Sequence, residues 1–278
     1  MPMNAPERLA LPDIQSQIDG RNIAIDAVGV NGVRYPITIA SEGKPTSTLG
    51  TYSMTVGLSA SAKGTHMSRF IELLEAAKNP IGQTEFITLG LDMLSRLDAT
   101  YGTIEVKFPY FIRKTAPVSQ VQSLLDVDVG WKAVVSTRHS PIFSMRVVVA
   151  ATSLCPCSKE ISAYGAHNQR SHIVIDAEIN GDMSIEELIS VAEQGASCEV
   201  YGLLKRVDEK YVTERAYDNP KFVEDLARDI AVALNAEHRV DRYCVEVENF
   251  ESIHNHSAVA RINNGAQRGN SALRHGCM

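Results

Sequence analysis

The chain has 278 residues, 22% charged and 44% hydrophobic, with a formal net charge of -6, long enough for two domains or one two-part domain without disulfide staples. The acidic balance argues against bulk nucleic-acid binding, which needs a concentrated basic face, and no stretch approaches the roughly eighteen uninterrupted apolar residues of a membrane span. Residues 1–19 lack a cationic run followed by an apolar one, and the five cysteines are odd in number and scattered, so a cytoplasmic protein with reduced thiols is expected.

In chain order, a strand-like run opens at Tyr52-Ser53-Met54-Thr55-Val56, followed by amphipathic helical patterns over 67–77 and 85–98 and an alternating strand at Ile104-Glu105-Val106-Lys107. The series returns as Phe143-Ser144-Met145-Arg146-Val147, helices over 184–193 and 221–236, and the strand Val245-Glu246-Val247-Glu248. In the last helix Phe222, Leu226, Ile230 and Leu234 recur every four residues, and Val223, Ala227 and Ala233 widen a stripe that must cover a sheet. These echoes predict duplicated architecture: an α+β chain of two strand-strand-helix-helix-strand-strand units, with antiparallel sheets carrying helices on one face.

The offset between echoes grows from 91 residues (52 to 143) to 141 (104 to 245), which places 50 extra residues inside the second half. The boundary is expected within 119–138, dividing the chain into halves 1–130 and 131–278. Residues 1–6 and a Gly/Asn/Ser-rich tail over about 263–278 are expected to be loose, which makes His275 and Cys277 poor ligand candidates.

The chemistry concentrates in Thr152-Ser153-Leu154-Cys155-Pro156-Cys157-Ser158-Lys159-Glu160 and Tyr164-Gly165-Ala166-His167-Asn168-Gln169-Arg170. Thiol and imidazole twelve residues apart, bracketing Gly and Pro turn formers, can fold back onto one metal ion. Each residue also has a plainer explanation. Cys155 and Cys157 have one intervening residue where structural zinc knuckles have two to four, and free cysteines are often simply buried. His167 alone reads as a surface-loop histidine. Glu209 lies in a charge-dense stretch that reads as a solvated loop, and Glu224 lies away from the apolar stripe of its helix, as an exposed carboxylate would. His254 and His256, one residue apart, would face one side of a strand about 7 Å from each other.

Taken together, these segments, with Lys63-Gly64-Thr65-His66-Met67-Ser68-Arg69-Phe70, Leu204-Lys205-Arg206, Asp208-Glu209-Lys210-Tyr211-Val212-Thr213-Glu214-Arg215, Asn219-Pro220-Lys221-Phe222-Val223-Glu224-Asp225 and Glu251-Ser252-Ile253-His254-Asn255-His256, resemble the type IB GTP cyclohydrolases of the tunnelling-fold superfamily. The resemblance spans most of the chain. It departs near Gly202 and Val207, where the family pattern has proline, which leaves the rigidity of the Glu209 segment open.

The resemblance implies two tunnelling-fold modules in one chain, assembled into a homotetrameric barrel with active sites at subunit interfaces. It implies hydrolysis of GTP at C8 to 7,8-dihydroneopterin triphosphate and formate, the entry to folate-type pterins, with a product that can also feed queuosine-type deazapurines. By the same resemblance, Cys155, His167 and Glu209 match the ligands of one divalent ion, zinc, manganese or iron, with no organic cofactor. Cys157 stands near that site, and His254 and His256 are acid/base candidates. Glu224 would anchor guanine, while Lys159, Arg170, Lys205 and Arg206 would meet the triphosphate. Lys63, His66 and Arg69 would reach the site from a neighbouring chain. The alternatives are the tunnelling-fold nitrile reductase of queuosine biosynthesis, whose dinucleotide motif is not found here, and a noncatalytic metal- or purine-binding protein.

Overall fold

A computed structural model describes residues 13–15, 17–77 and 80–265. The expectations about residues 1–6, His275 and Cys277 lie outside them. The first unit runs β1 (Ile25–Ser41), β2 (Lys44–Leu58), α1 (Ser68–Ala76), α2 (Gln83–Leu97), β3 (Tyr101–Thr115) and β4 (Gln122–Ser136). The second runs β5 (Ile142–Leu154), α3 (Pro156–Ile161), β6 (Asn168–Ile179), α4 (Ile185–Gly195), β7 (Cys198–Glu199), α5 (Arg206–Asp218), α6 (Val223–Ala236), β8 (Val240–Asn249) and β9 (Ala258–Asn263). Residue 130 lies inside β4, and the connection between the units falls at 137–141.

The strands form one continuous antiparallel sheet rather than two, in the order β1-β2-β3-β4-β5-β6-β8-β9, with the short β7 paired to β5. Pairing of β4 with β5 joins the units. A single cross-strand row, Tyr52, Val106, Trp131, Met145, Ala177 and Tyr243, runs through six strands and is buried throughout. The row one residue along, Lys107, Gly130, Arg146, Asp176 and Cys244, faces the other way. This period-2 alternation makes one face apolar, and the helices cover it. Trp131 is its hub, touching Phe86, Phe108 and Phe143 edge-on at 5.6–5.8 Å.

The helices match the apolar periods closely. In α2, Phe86, Leu89, Met93, Leu94 and Leu97 face the sheet, and α4 begins with a Ser184–Glu187 capping box. In α6 the buried stripe is Val223, Leu226, Ala227, Ile230, Ala231 and Leu234. Ala231 replaces the expected Ala233, and Phe222 caps the helix at 40% exposure.

The first echo is displaced by one strand. β2 and β6 both lead into the helices and then pair with the strand that follows them, so β2 corresponds to β6, whereas the Phe143 run lies on β5. Met54 pairs with Ile104 as Ile175 pairs with Val245, an offset of 121 residues (54 to 175). Hence the additional residues are not one block. The segment 155–167 stands where the first unit has the turn Glu42-Gly43, and β7 with α5 occupies the rest.

Helix α5 has no apolar stripe, its buried residues being Asp208 and Ala216. It is held by polar contacts. Asp208, fully buried, accepts from the backbone N–H groups of Val118, Ser119 and Lys205 and from Ser119 Oγ at 2.5–2.9 Å. Burial by itself would raise its pKa, but these donors hold the carboxyl well below its ordinary range. Gly202 permits the preceding loop to approach β4, since a Cβ there would lie 2.6 Å from the Leu124 carbonyl oxygen. The Glu209 segment is thus secured by Asp208 and by close packing at Gly202. Among the described residues no helix is long and apolar enough to cross a membrane.

Because the folded pKa of Asp208 lies below the unfolded one, its stabilisation is complete above about pH 4 and fades as pH falls through the lower folded value. Asp208→Ala should lower Tm clearly at pH 7, and the gap from the unsubstituted protein should narrow at pH 3, as followed by thermal circular dichroism.

Candidate active site

The β5–β6 ladder ends at the pair Leu154–Asn168, and the next residues meet through a bond from the Cys155 N–H to the His167 carbonyl at 3.1 Å. Cys155 leaves the strand as N-cap of α3, where Pro156 occupies the first turn and the Ser158 N–H donates to Cys155 Sγ at 3.4 Å. Ser158 Oγ also accepts the His167 N–H at 3.2 Å, so one serine ties the thiol turn to the histidine. Both Cys155 and His167 are half-buried, and Cys157 is exposed.

The imidazole of His167 is fixed through Nδ1, which lies 3.0 Å from Gln169 Oε1 and 3.3 Å from Ser252 Oγ. Ser252 brings in the β8–β9 connection, which carries His254 and His256. Those two are not on a strand as expected but on a succession of bends. Their exposed rings stack at 5.2 Å, closer than a strand would set them. His254 Nδ1 lies 3.7 Å from Glu251. The base of this loop is anchored by the Phe250 N–H on the Arg170 carbonyl and by Phe250 against His172 at 4.7 Å.

The start of α6 meets the same rim from another direction. The Lys221 N–H donates to the Leu154 carbonyl at 3.0 Å, which sets the start of α6 beside the end of β5, and Glu224 is exposed in its first turn. Lys159 is engaged by Tyr217, donating to its carbonyl and lying 4.3 Å over its ring. Arg170, Lys205 and Arg206 are exposed, the first on β6, the others at the start of α5.

Glu209 is the outlier. It lies in the first turn of α5, a helix where a loop was expected, and about 12 Å of helix separates it from Tyr217. Among the described residues no group of three or more His, Cys, Asp or Glu side chains is close enough to hold a metal ion. Cys155 and His167 are therefore neighbours, and Glu209 does not join them within this chain. Lys63, His66 and Arg69 lie between β2 and α2, bonded to Gln17, Asp13 and the Arg96 carbonyl.

A family model described as type I GTP cyclohydrolase folE2 matches residues 11–260. The chain belongs to this family. Similar relatives include a protein named GTP cyclohydrolase FolE2 1 from Dechloromonas aromatica, 58% identical over 94% of this chain and 98% of that one. Another, named GTP cyclohydrolase FolE2, from Herminiimonas arsenicoxydans, is 59% identical over 91% and 97%. Among solved structures, uricase from Arthrobacter globiformis superposes with a TM-score of 0.52 at 6% identity, covering 90% of this chain and 96% of that one. At that identity the likeness concerns the fold alone, and it agrees with the tunnelling-fold expectation.

This FolE2-family chain also carries a half-buried ionic cluster. Lys114 of β3 binds both carboxylate oxygens of Glu193 on α4 at 2.7–2.8 Å, and Arg215 of α5 and Tyr201 Oη both bind Glu199 of β7. Burial would raise Glu199, but Tyr201 and Arg215 hold it below its ordinary value. Cys198, beside it, is 1% exposed, and burial, then the Glu199 charge, pushes its thiol up to about 11. Among the described residues Cys155, Cys157 and Cys198 are free thiols.

The chemistry of the thiols follows from these environments. A maleimide titration with peptide mapping should label Cys157 first and Cys155 more slowly, and should reach Cys198 only on unfolding. Cys157→Ser should remove the fast phase.

Proposed function

We propose that this chain is a GTP cyclohydrolase that opens the guanine imidazole ring at C8, releases that carbon as formate and yields 7,8-dihydroneopterin triphosphate for folate-type pterin synthesis. The observation that carries the reading is the meeting of Cys155, His167 and the His254/His256 loop at one end of the β5–β6 ladder, in a chain matched by the family model over residues 11–260. The same family match favours this reading over the nitrile reductase and the noncatalytic binder.

The donor chemistry suits a divalent ion: a thiol at a helix cap and an imidazole whose Nδ1 is occupied stand side by side. Cys155 and His167 would hold it, with Glu209 as the third protein donor, and the mixed sulfur, nitrogen and oxygen set suits zinc, manganese or iron. When bound, such an ion supplies a water with a pKa lowered from 15.7 to about 7. The protein's residues do the rest. His254 and His256, stacked on one loop that Ser252 ties to His167, donate to and accept from the ring nitrogens as the ring opens. Glu224 accepts the guanine N1–H and exocyclic amine, a donor pair that adenine does not offer. Arg170, Lys205 and Arg206 meet the triphosphate, whereas Lys159 steadies α5 through Tyr217 and serves it less directly.

The assembly belongs to the same proposal. β1 and β9 end the strand order, and closing those edges against other copies would build the barrel of a homotetramer and complete the site at an interface. Glu209, Lys63, His66 and Arg69 are the residues whose place in the site depends on that assembly.

Formate release from GTP with Zn²⁺, Mn²⁺ or Fe²⁺ supplied is the direct test. Cys155→Ala should lower kcat more than about a hundredfold and reduce bound metal. Glu224→Gln should leave metal content unchanged and raise KM for GTP by about ten- to a hundredfold, from loss of one charge-assisted hydrogen bond. Full activity after rigorous chelation would overturn the metal-assisted route, and tight GTP binding without formate would favour the noncatalytic reading.

A further inference from the structure

A buried polar chain runs inward from His167. Gln169 Nε2 donates to Ser153 Oγ at 2.9 Å, Ser153 Oγ and Ser171 Oγ lie 3.0 Å apart, and Ser171 Oγ donates to Asn249 Oδ1 at 2.6 Å. Ser153 and Ser171 are 0% exposed, Asn249 2% and Gln169 7%. Polar groups at that depth persist when all are satisfied. Ser171 Oγ shares its proton between Asn249 Oδ1, the shorter bond, and Ser153 Oγ, which also accepts from Gln169 Nε2. With Nε2 committed to Ser153, Gln169 presents Oε1, which can only accept, to His167 Nδ1 at 3.0 Å. Ser252 Oγ, 3.3 Å from the same nitrogen, can share that proton as a second acceptor.

We infer that Gln169 is a positioning residue for His167: through the Ser153–Ser171–Asn249 chain it holds the neutral imidazole as the Nδ1–H tautomer and leaves the Nε2 lone pair bare for a ligand. This deepens the metal reading given above and rests on it for the identity of that ligand. The reason is chemical. A neutral imidazole in water favours the proton on Nε2, the form that cannot bind a metal through that atom, so a buried acceptor on Nδ1 is needed to reverse the preference. Gln169 is suited to this because it is the second residue of β6 and His167 immediately precedes that strand, so the two side chains meet at 3.0 Å. Its position at the edge of the core fixes its own rotamer through Ser153 on the neighbouring strand. The chain also joins β5, β6 and β8, so the ring is referenced to three strands of the sheet and not to the loop that contains it.

The test uses the full-length, chelator-treated protein labelled with ¹⁵N, with long-range ¹H–¹⁵N correlation of the imidazoles above pH 8 and His167 assigned by His167→Gln. His167 should show the Nδ1–H tautomer in the unsubstituted protein. An Nε2–H tautomer there would mean the chain runs in the opposite sense and would overturn the inference without any variant. Gln169→Leu should shift the ring toward Nε2–H and weaken Zn²⁺ binding by about ten- to a hundredfold, whereas Gln169→Glu, which keeps an acceptor, should restore both within a few-fold. Equal Zn²⁺ affinity in Gln169→Leu and the unsubstituted protein would also sink it. Should the unsubstituted protein bind no Zn²⁺ while His167 shows Nδ1–H, the metal reading fails and the hydrogen-bond assignment stands.

Discussion

The site depends on the register of β5 against β6. Val147, Val149 and Ala151 on one strand and Ile173 and Ile175 on the other are buried, and a slip of one residue would turn that whole set to the polar face. The core therefore dictates that Leu154 pairs with Asn168, and the next residue on each strand is Cys155 on one side and His167 on the other. Two donor groups at the two ends of a thirteen-residue excursion, 155–167, are brought together by hydrophobic burial several residues away. The chemistry at the rim inherits its geometry from packing in the sheet.

The excursion itself shows how one repeat of a duplicated fold acquires chemistry that the other lacks. In the first unit the equivalent connection is Glu42-Gly43, a two-residue turn with both residues at positive φ. In the second it holds α3, the two cysteines and His167, and the remaining added length is β7 and α5. Helix α5 has little apolar surface to bury, and its position rests on Asp208 at one end and on Arg215–Glu199 and Tyr217–Lys159 at the other. Its orientation is thus governed by polar and ionic contacts rather than by an apolar stripe, and Glu209 is carried on that helix at a distance from the Cys155–His167 pair.

Much of the scaffold could be read from the chain. The four amphipathic helices and the alternating strands follow from periodicities of 3.6 and 2, which depend on near neighbours alone. The reading failed where local pattern stops being informative. The Phe143 run was matched to β2 because both strands alternate in the same way, although pairing assigns that role to β6. The charge density around Glu209 reads as a solvated loop although the segment is helix α5, and the spacing of His254 and His256 allows a strand where the chain makes bends. Gln169 was passed over, although its spacing of two from His167 at the head of a strand was a usable signal.

The donor types, the family and the duplicated α+β plan are properties of composition, spacing and long low-degeneracy runs, and these are written in the order of residues. Which of the donors meet is a different kind of fact. Cys155 meets His167 across a sheet register, Lys221 sets Glu224 against the end of β5, and Ser252 brings in the two histidines from 85 residues away. Such contacts are fixed by burial of a shared core and by satisfaction of buried polar groups, which act between segments remote in sequence and leave no periodic trace along either one.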